Sequence, residues 1–273
     1  MKSFISVLLG IGLIVLGFNL TGCSNQTDTA KSFSDYEEKG SIVVGLDDSF
    51  VPMGFRNDSG ELVGFDIELA KKVGETVGVN IEFQPIDWSM KETELKNGTI
   101  DAIWNGYTVT AERKEQVTFS QTYLKNDQVI VTMKKNKIQS PNDMDGKIVG
   151  LQEGSSGEDA FTNNPELLKD FVKDQEAISY PAYTEAFMDL EAGRIDGLLI
   201  DKIFADYYLS QKENKNDFAM IATEFPEEDY AIGFRIGETE LADKINEAIN
   251  QLITSGEAKA ISEKWFGEDR LVK

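Results

Sequence analysis

The chain has 273 residues, 41% apolar and 27% charged, enough for one large or two ordinary domains around a packed core. Its 27 Lys and Arg against 48 Asp and Glu give a net charge of −21, so it lacks the basic face that nucleic acid or an anionic lipid surface would need. With no histidine and one cysteine, Cys23, the composition excludes Ser-His-Asp and Cys-His catalysis, His/Cys zinc sites, thiol redox chemistry and internal disulfides. A binding protein remains, or an enzyme confined to carboxylate, Lys or Tyr chemistry.

Lys2 followed by the apolar run Phe4–Phe18 has the layout of a secretory signal, and the run is short for a span of roughly 20 residues. It ends at Leu20-Thr21-Gly22-Cys23, which resembles the lipobox of bacterial lipoproteins. Residues 1–22 are therefore expected to be removed and Cys23 to carry a diacylglycerol, an anchor whose two chains hold where one is marginal. Residues 24–36 are polar and aperiodic and predict a flexible tether. The cysteine-free body is consistent with a Gram-positive cell surface.

Ser41–Leu46 predicts a buried strand. Phe65–Val77 predicts an amphipathic helix with Leu69, Val73 and Val77 on one face, stopped by Gly78, and Val79–Phe83 resumes a strand. This alternation predicts an α/β fold with parallel strands covered by helices. Leu95-Lys-Asn-Gly98-Thr-Ile100-Asp101-Ala-Ile103 is then echoed by Leu190-Glu-Ala-Gly193-Arg-Ile195-Asp196-Gly-Leu198. In each copy a Leu closes a helix, a Gly takes the left-handed position after it, and Ile-Asp enters a buried strand. Two copies suggest two lobes of like construction. Ligands in open α/β sheets sit beyond the carboxyl ends of strands, which nominates Asn105–Thr108 and Asp201. Pro141-Asn-Asp143-Met-Asp145-Gly146 has a fragment of calcium-loop spacing, but Pro141 stands at the first ligand position, so no metal is expected.

From Ser41 to Gly267 the chain resembles the polar-amino-acid substrate-binding lipoproteins of ABC importers, solute-binding protein family 3, with the type II periplasmic-binding-protein fold. The resemblance rests on Val44-Gly-Leu-Asp47-Asp-Ser-Phe50-Val-Pro52, Gly64-Phe-Asp66-Ile-Glu-Leu-Ala70, Asp87-Trp88, Thr108-Val-Thr110-Ala-Glu-Arg113, Phe119-Ser120, Asp145-Gly-Lys-Ile-Val-Gly150, Gly154-Ser-Ser156, Gly193-Arg-Ile-Asp196 and Lys264-Trp-Phe-Gly267, in this order and spacing. It implies two α/β lobes, 37–125 with 228–273 and 126–227, joined by crossovers near Tyr123–Gln128 and Thr223–Tyr230. It also implies a free amino acid as ligand, an ABC permease with a separate ATPase as partners, no cofactor and no catalysis. The chain has no Gly-rich nucleotide loop of its own.

By the same resemblance Arg113 takes the ligand carboxylate, as a guanidinium fork suits two oxygens in one plane. Thr108 and the backbone at Gly106 add hydrogen bonds, while Ser155 and Ser156 offer hydroxyls and N–H groups from the second lobe and double as a helix cap. Asp201 takes the ammonium. Phe50 and Trp88 flank the ligand side chain, and one of Trp104 and Tyr107 need face the cleft. Trp265-Phe266 is expected to dock the C-terminal helix. Asp47, Asp48 and Glu153 at the ligand's distal end favour arginine or lysine, whereas Gln152 suits glutamine or another neutral ligand. Two alternatives stay open: a glutamine- or cystine-specific binder, and a cyclohexadienyl-dehydratase-like enzyme using Asp201 or Glu153 as acid. Without histidine, affinity is expected to be nearly flat from about pH 6 to 8.

Overall fold

The structure is a computed structural model and describes residues 30–272. The signal segment and Cys23 lie outside the described residues. In chain order, α1 (Phe33–Lys39) leads into β1 (Ser41–Leu46) and a small flap of β2 (Ser49–Phe50), β3 (Gly54–Arg56) and β4 (Leu62–Val63). Then follow α2 (Phe65–Val77), β5 (Asn80–Pro85), α3 (Lys91–Asn97), β6 (Ala102–Ile103), α4 (Ala111–Lys114), β7 (Val117–Phe119), β8 (Leu124–Asn126) and β9 (Gln128–Met133). Next come β10 (Val149–Gln152), α5 (Ser156–Asn163), β11 (Ala177–Tyr180), α6 (Tyr183–Ala192), β12 (Gly197–Asp201), α7 (Lys202–Ser210) and β13 (Phe218–Ala222). The chain closes with β14 (Glu228–Tyr230), β15 (Gly233–Arg235), α8 (Thr239–Ser255) and α9 (Glu257–Phe266).

Two five-stranded sheets share one plan. The first runs β5-β1-β6-β15-β7 and the second β11-β10-β12-β9-β13. In each, the first three strands are parallel, the fourth runs against them, and the fifth, antiparallel to the fourth, runs with the first three. The sequence echo falls on β6 and β12, the third strand of each sheet. Gly98 and Gly193 both adopt left-handed backbone (φ 77 and 73) after α3 and α6. Ile100 and Ile195 are buried, and the echoed acids play the same part. Asp101 accepts from Val43 N–H at 3.1 Å and Asp196 from Ile148 N–H at 2.9 Å, each pinning the preceding parallel strand.

Two segments cross between the lobes and pair antiparallel as β8 and β14, with Glu228 opposite Asn126 and Tyr230 opposite Leu124. Helix α2 buries Leu69 and Val73 as its spacing predicts, with Val77 half-buried against the same core and Phe65 also buried at its start, each fully buried side chain contributing about 1.5–3 kcal/mol.

The tether expected to run through residue 36 ends sooner. Ser32 and Asp35 form a capping box at the start of α1, and Phe33 and Tyr36 are buried. Tyr36 Oη donates to Glu238 at 2.9 Å. The stretch is too short to show helical periodicity, and its two aromatics find their partners on α8 and the loop before it, some 200 residues away in sequence.

Candidate functional site

The carboxyl ends of β1, β6, β10 and β12 converge on one seam between the lobes. Asp66, in the first turn of α2, shapes the first-lobe wall. Buried completely, it accepts from Trp104 Nε1 (3.2 Å), Gly106 N–H (2.9 Å) and Tyr123 Oη (3.0 Å). These bonds fix the strand-end turn Trp104–Thr108. Gly106 has φ +62, and a Cβ there would lie 2.9 Å from the Phe50 ring and 3.0 Å from that of Tyr230. Only glycine lets the two rings close against this backbone.

Arg113, in α4, is 5% exposed. Thr110 caps α4 by accepting from Arg113 N–H at 3.1 Å. The guanidinium lies over Tyr107, 4.8 Å from the ring centre. Its Nη1 donates to Thr108 O at 3.0 Å, anchoring it to its own lobe, and its Nη2 donates across the seam to Gly154 O at 3.1 Å. Glu92 and Asp159 stand at 3.7 and 3.4 Å from it. Lys91, also buried, donates to the same Gly154 carbonyl at 2.7 Å and lies over Trp88. Burial, with Arg113 nearby, lowers the Lys91 ammonium to about 8.

From the second lobe, Ser155 caps α5 by accepting from Glu158 N–H at 3.1 Å. Ser156 Oγ meets Thr108 Oγ1 at 3.1 Å. Gln152 Nε2 donates to Asp47 Oδ2 at 2.8 Å, so the neutral amide and the acid, read from sequence as rival specificity groups, are bonded to each other across the seam. Burial raises the Asp47 carboxyl. Phe50 packs on Tyr183 and Phe204 of the second lobe, with ring centres 6.1 and 5.4 Å apart.

Asp201 is buried and accepts from Tyr230 Oη at 2.6 Å and Tyr183 Oη at 3.3 Å. Burial, and Glu228 next to it, push its carboxyl up to about 7.

The structure thus gathers Asp47, Phe50, Gly106, Thr108, Arg113, Gln152, Ser155, Ser156 and Asp201 at one seam, with Trp88 stacked edge-on to Tyr107 at its margin. Two distal acids fall elsewhere. Asp48 pairs with Arg56 on the flap at 2.6 Å, and Glu153 is solvent-exposed, its N–H bonded to Tyr180 O. Both point away because their neighbours Asp47 and Gln152 take the inward positions. Trp104 faces Asp66, and Tyr107 lies under Arg113 with its hydroxyl on Glu92. Trp265 meets Phe55 of the flap and Tyr207 of the second lobe, with ring centres 5.9 and 6.4 Å away, so it bridges lobes as well as docking α9. Sequence reasoning missed Lys91, Asn126, Gln128, Tyr183, Glu228 and Tyr230. Only the crossover location hinted at any of them.

A sequence model of the family described as "Bacterial extracellular solute-binding proteins, family 3" matches residues 42–268. The L-cystine-binding protein TcyJ of Escherichia coli is 31% identical over 250 residues, covering 88% of this chain and 90% of that protein. The arginine-binding extracellular protein ArtP of Bacillus subtilis is 31% identical over 252 residues, covering 91% and 93%. Among solved structures, an ABC uptake transporter substrate-binding protein from Streptococcus pneumoniae with bound histidine superposes with a TM-score of 0.87 at 48% identity, covering 88% of this chain and 98% of that one.

Proposed function

We propose, from the premise that this chain belongs to the bacterial extracellular solute-binding proteins of family 3, that it holds one free polar L-amino acid, arginine or lysine foremost, between its lobes for an ABC importer. The supporting observation is an uncompensated anionic site. Asp201 and Glu228 are both buried, and among the described residues no Lys or Arg forms an ion pair with either, since Arg113 and Lys91 pair with Glu92 and Asp159. Two acids without a base call for a cation, which the α-ammonium of a free amino acid supplies, while the lean to arginine or lysine rests on Asp47 at the side-chain end. The ammonium belongs at Asp201, and the carboxylate at Arg113 with Thr108, Ser155 and Ser156. Asp47 and Phe50 face the side chain, with Gln152 and Trp88 beside them.

The closing bodies are residues 37–125 with 228–273 and residues 126–227, to which α1 adds residues from Phe33. Ligand enters when β8 and β14 flex, and the Arg113 and Lys91 bonds to Gly154, the Asp47–Gln152 bond and the Thr108–Ser156 contact favour the shut form. The shut form presents the ligand to a permease and its ATPase. Cys23 carries the lipid that holds the body on the outer face of the cell membrane. Among the described residues no helix is long and apolar enough to cross a membrane.

Calorimetric titration of the purified protein with the twenty amino acids and cystine tests this reading. Arginine or lysine is expected to bind tightest and to be recovered unaltered. Binding of acidic or small neutral amino acids alone would overturn the cationic preference, and a converted product would favour the dehydratase.

A further inference from the structure

Glu228 sits in no recognisable motif, yet the return crossover places it in the middle of the site. Asn126 Nδ2 donates to Asp201 Oδ1 at 2.6 Å and to Glu228 Oε2 at 2.8 Å. Gln128 Nε2 lies 3.2 Å from each of the same two oxygens. Shared amide nitrogens hold the two acids within reach of one small cation. Gln128 Oε1, the other end of that amide, is buried with no donor. A buried acceptor left unpaired is costly and rare.

We propose that Asp201, Glu228 and Gln128 Oε1 form a three-acceptor seat for the three N–H bonds of the ligand's ammonium, and that the empty seat holds a proton which passes to solvent when the ammonium arrives. This rests on the amino-acid reading above and makes Glu228 a ligand-binding residue for the ammonium. Two buried carboxylates with no base between them do not both ionise cheaply, whereas an ammonium placed against them favours both charged forms.

The remaining groups facing the pair leave the proton no other home. From α6 and β14, Tyr183 and Tyr230 donate to Asp201, and burial holds both hydroxyls far above their usual range, so they stay neutral. Thr108 Oγ1 lies 3.3 Å from Glu228, and the Ser156 hydroxyl at the start of α5 also reaches it. Arg113 of α4 lowers Glu228 from a distance, though less than burial raises it.

The sign follows. The ligand-free site binds more protons than the occupied one, so affinity rises with pH through about 7, where Asp201 titrates, and falls below it. A single proton released with that midpoint makes binding about tenfold weaker at pH 6 than at pH 8. The flat profile expected from the absence of histidine is thereby replaced.

L-Arginine is the probe, with L-glutamine as second, because neither titrates between about pH 6 and 8; histidine is avoided because it does. Calorimetry in buffers of different ionisation heat should show about half a proton released per ligand at pH 7 and the tenfold affinity change between pH 6 and 8. The isosteric E228Q variant removes the neighbouring charge but not the burial that raises Asp201 most, so its profile should keep the rise but move to lower pH, with less proton release at pH 7. A flat native profile with no buffer-dependent heat would overturn the seat while leaving the amino-acid reading intact, as would an E228Q profile matching the native one. Binding of neither probe would overturn the polar-amino-acid reading above, and the seat with it.

Discussion

Arg113→Ala is expected to weaken amino-acid binding at least about 30-fold and up to a few thousand-fold, the range for truncating one partner of a buried charged pair at 2–5 kcal/mol. Three features make the guanidinium hard to replace. It is held flat over Tyr107, it is anchored to its own lobe through Thr108 O, and its outer nitrogen already reaches the second lobe at Gly154. The alanine variant also leaves Glu92 and Asp159 facing each other across the seam without this cation, so closure suffers with ligand contact. Arg113→Lys keeps the charge and loses the fork, and should recover only part of the affinity. Calorimetry on the two variants checks both numbers, and unchanged affinity in Arg113→Ala would remove the carboxylate from this position.

Asp66→Ala should be the most damaging single change to the first lobe, lowering the free energy of unfolding by about 3–5 kcal/mol, since three buried donors lose their acceptor at roughly 1–3 kcal/mol each before relaxation. The donors are Trp104 Nε1, Gly106 N–H and Tyr123 Oη. That loss is a large fraction of a usual total of about 5–15 kcal/mol. Urea unfolding followed by circular dichroism measures it, with an unchanged slope expected. Because the same bonds fix Gly106 against Phe50, the surviving folded fraction should also bind ligand more weakly. A loss under about 1 kcal/mol would mean that water replaces the carboxylate.

Local chemistry made much of this molecule readable in advance. Gly98 and Gly193 each end a helix in left-handed backbone, and the strands that follow take equivalent places in two sheets of equivalent order. Both facts are written in nine residues repeated once. Arg113 is named by the family resemblance alone, its neighbours Glu112, Lys114 and Glu115 reading as a solvated charge run, whereas Asp201 could be nominated because it ends a strand of the echo. Glu228 could not. It lies in the run Pro226-Glu-Glu-Asp229, whose other acids Glu227 and Asp229 pair with Lys125 at the surface. Nothing in that run marks which acid turns inward, since only the register of β14 on β8 decides it. Lys91 was hidden for a related reason. Its sequence neighbours Glu92 and Glu94 read as a solvated helix start, and the group that buries its ammonium, Gly154 O, belongs to the other lobe. Charges whose partners come from distant segments carry no periodic signature.

The central claim is that one site grips both charged ends of a free amino acid at once. Titrating the protein with L-arginine, with agmatine, which lacks the carboxylate, and with Nα-acetyl-L-arginine, which lacks the ammonium, tests it directly. Tight binding of arginine is expected, with each derivative weaker by at least about 30-fold because one buried charge of the protein is left unanswered. A derivative that binds as well as arginine itself would contradict the account.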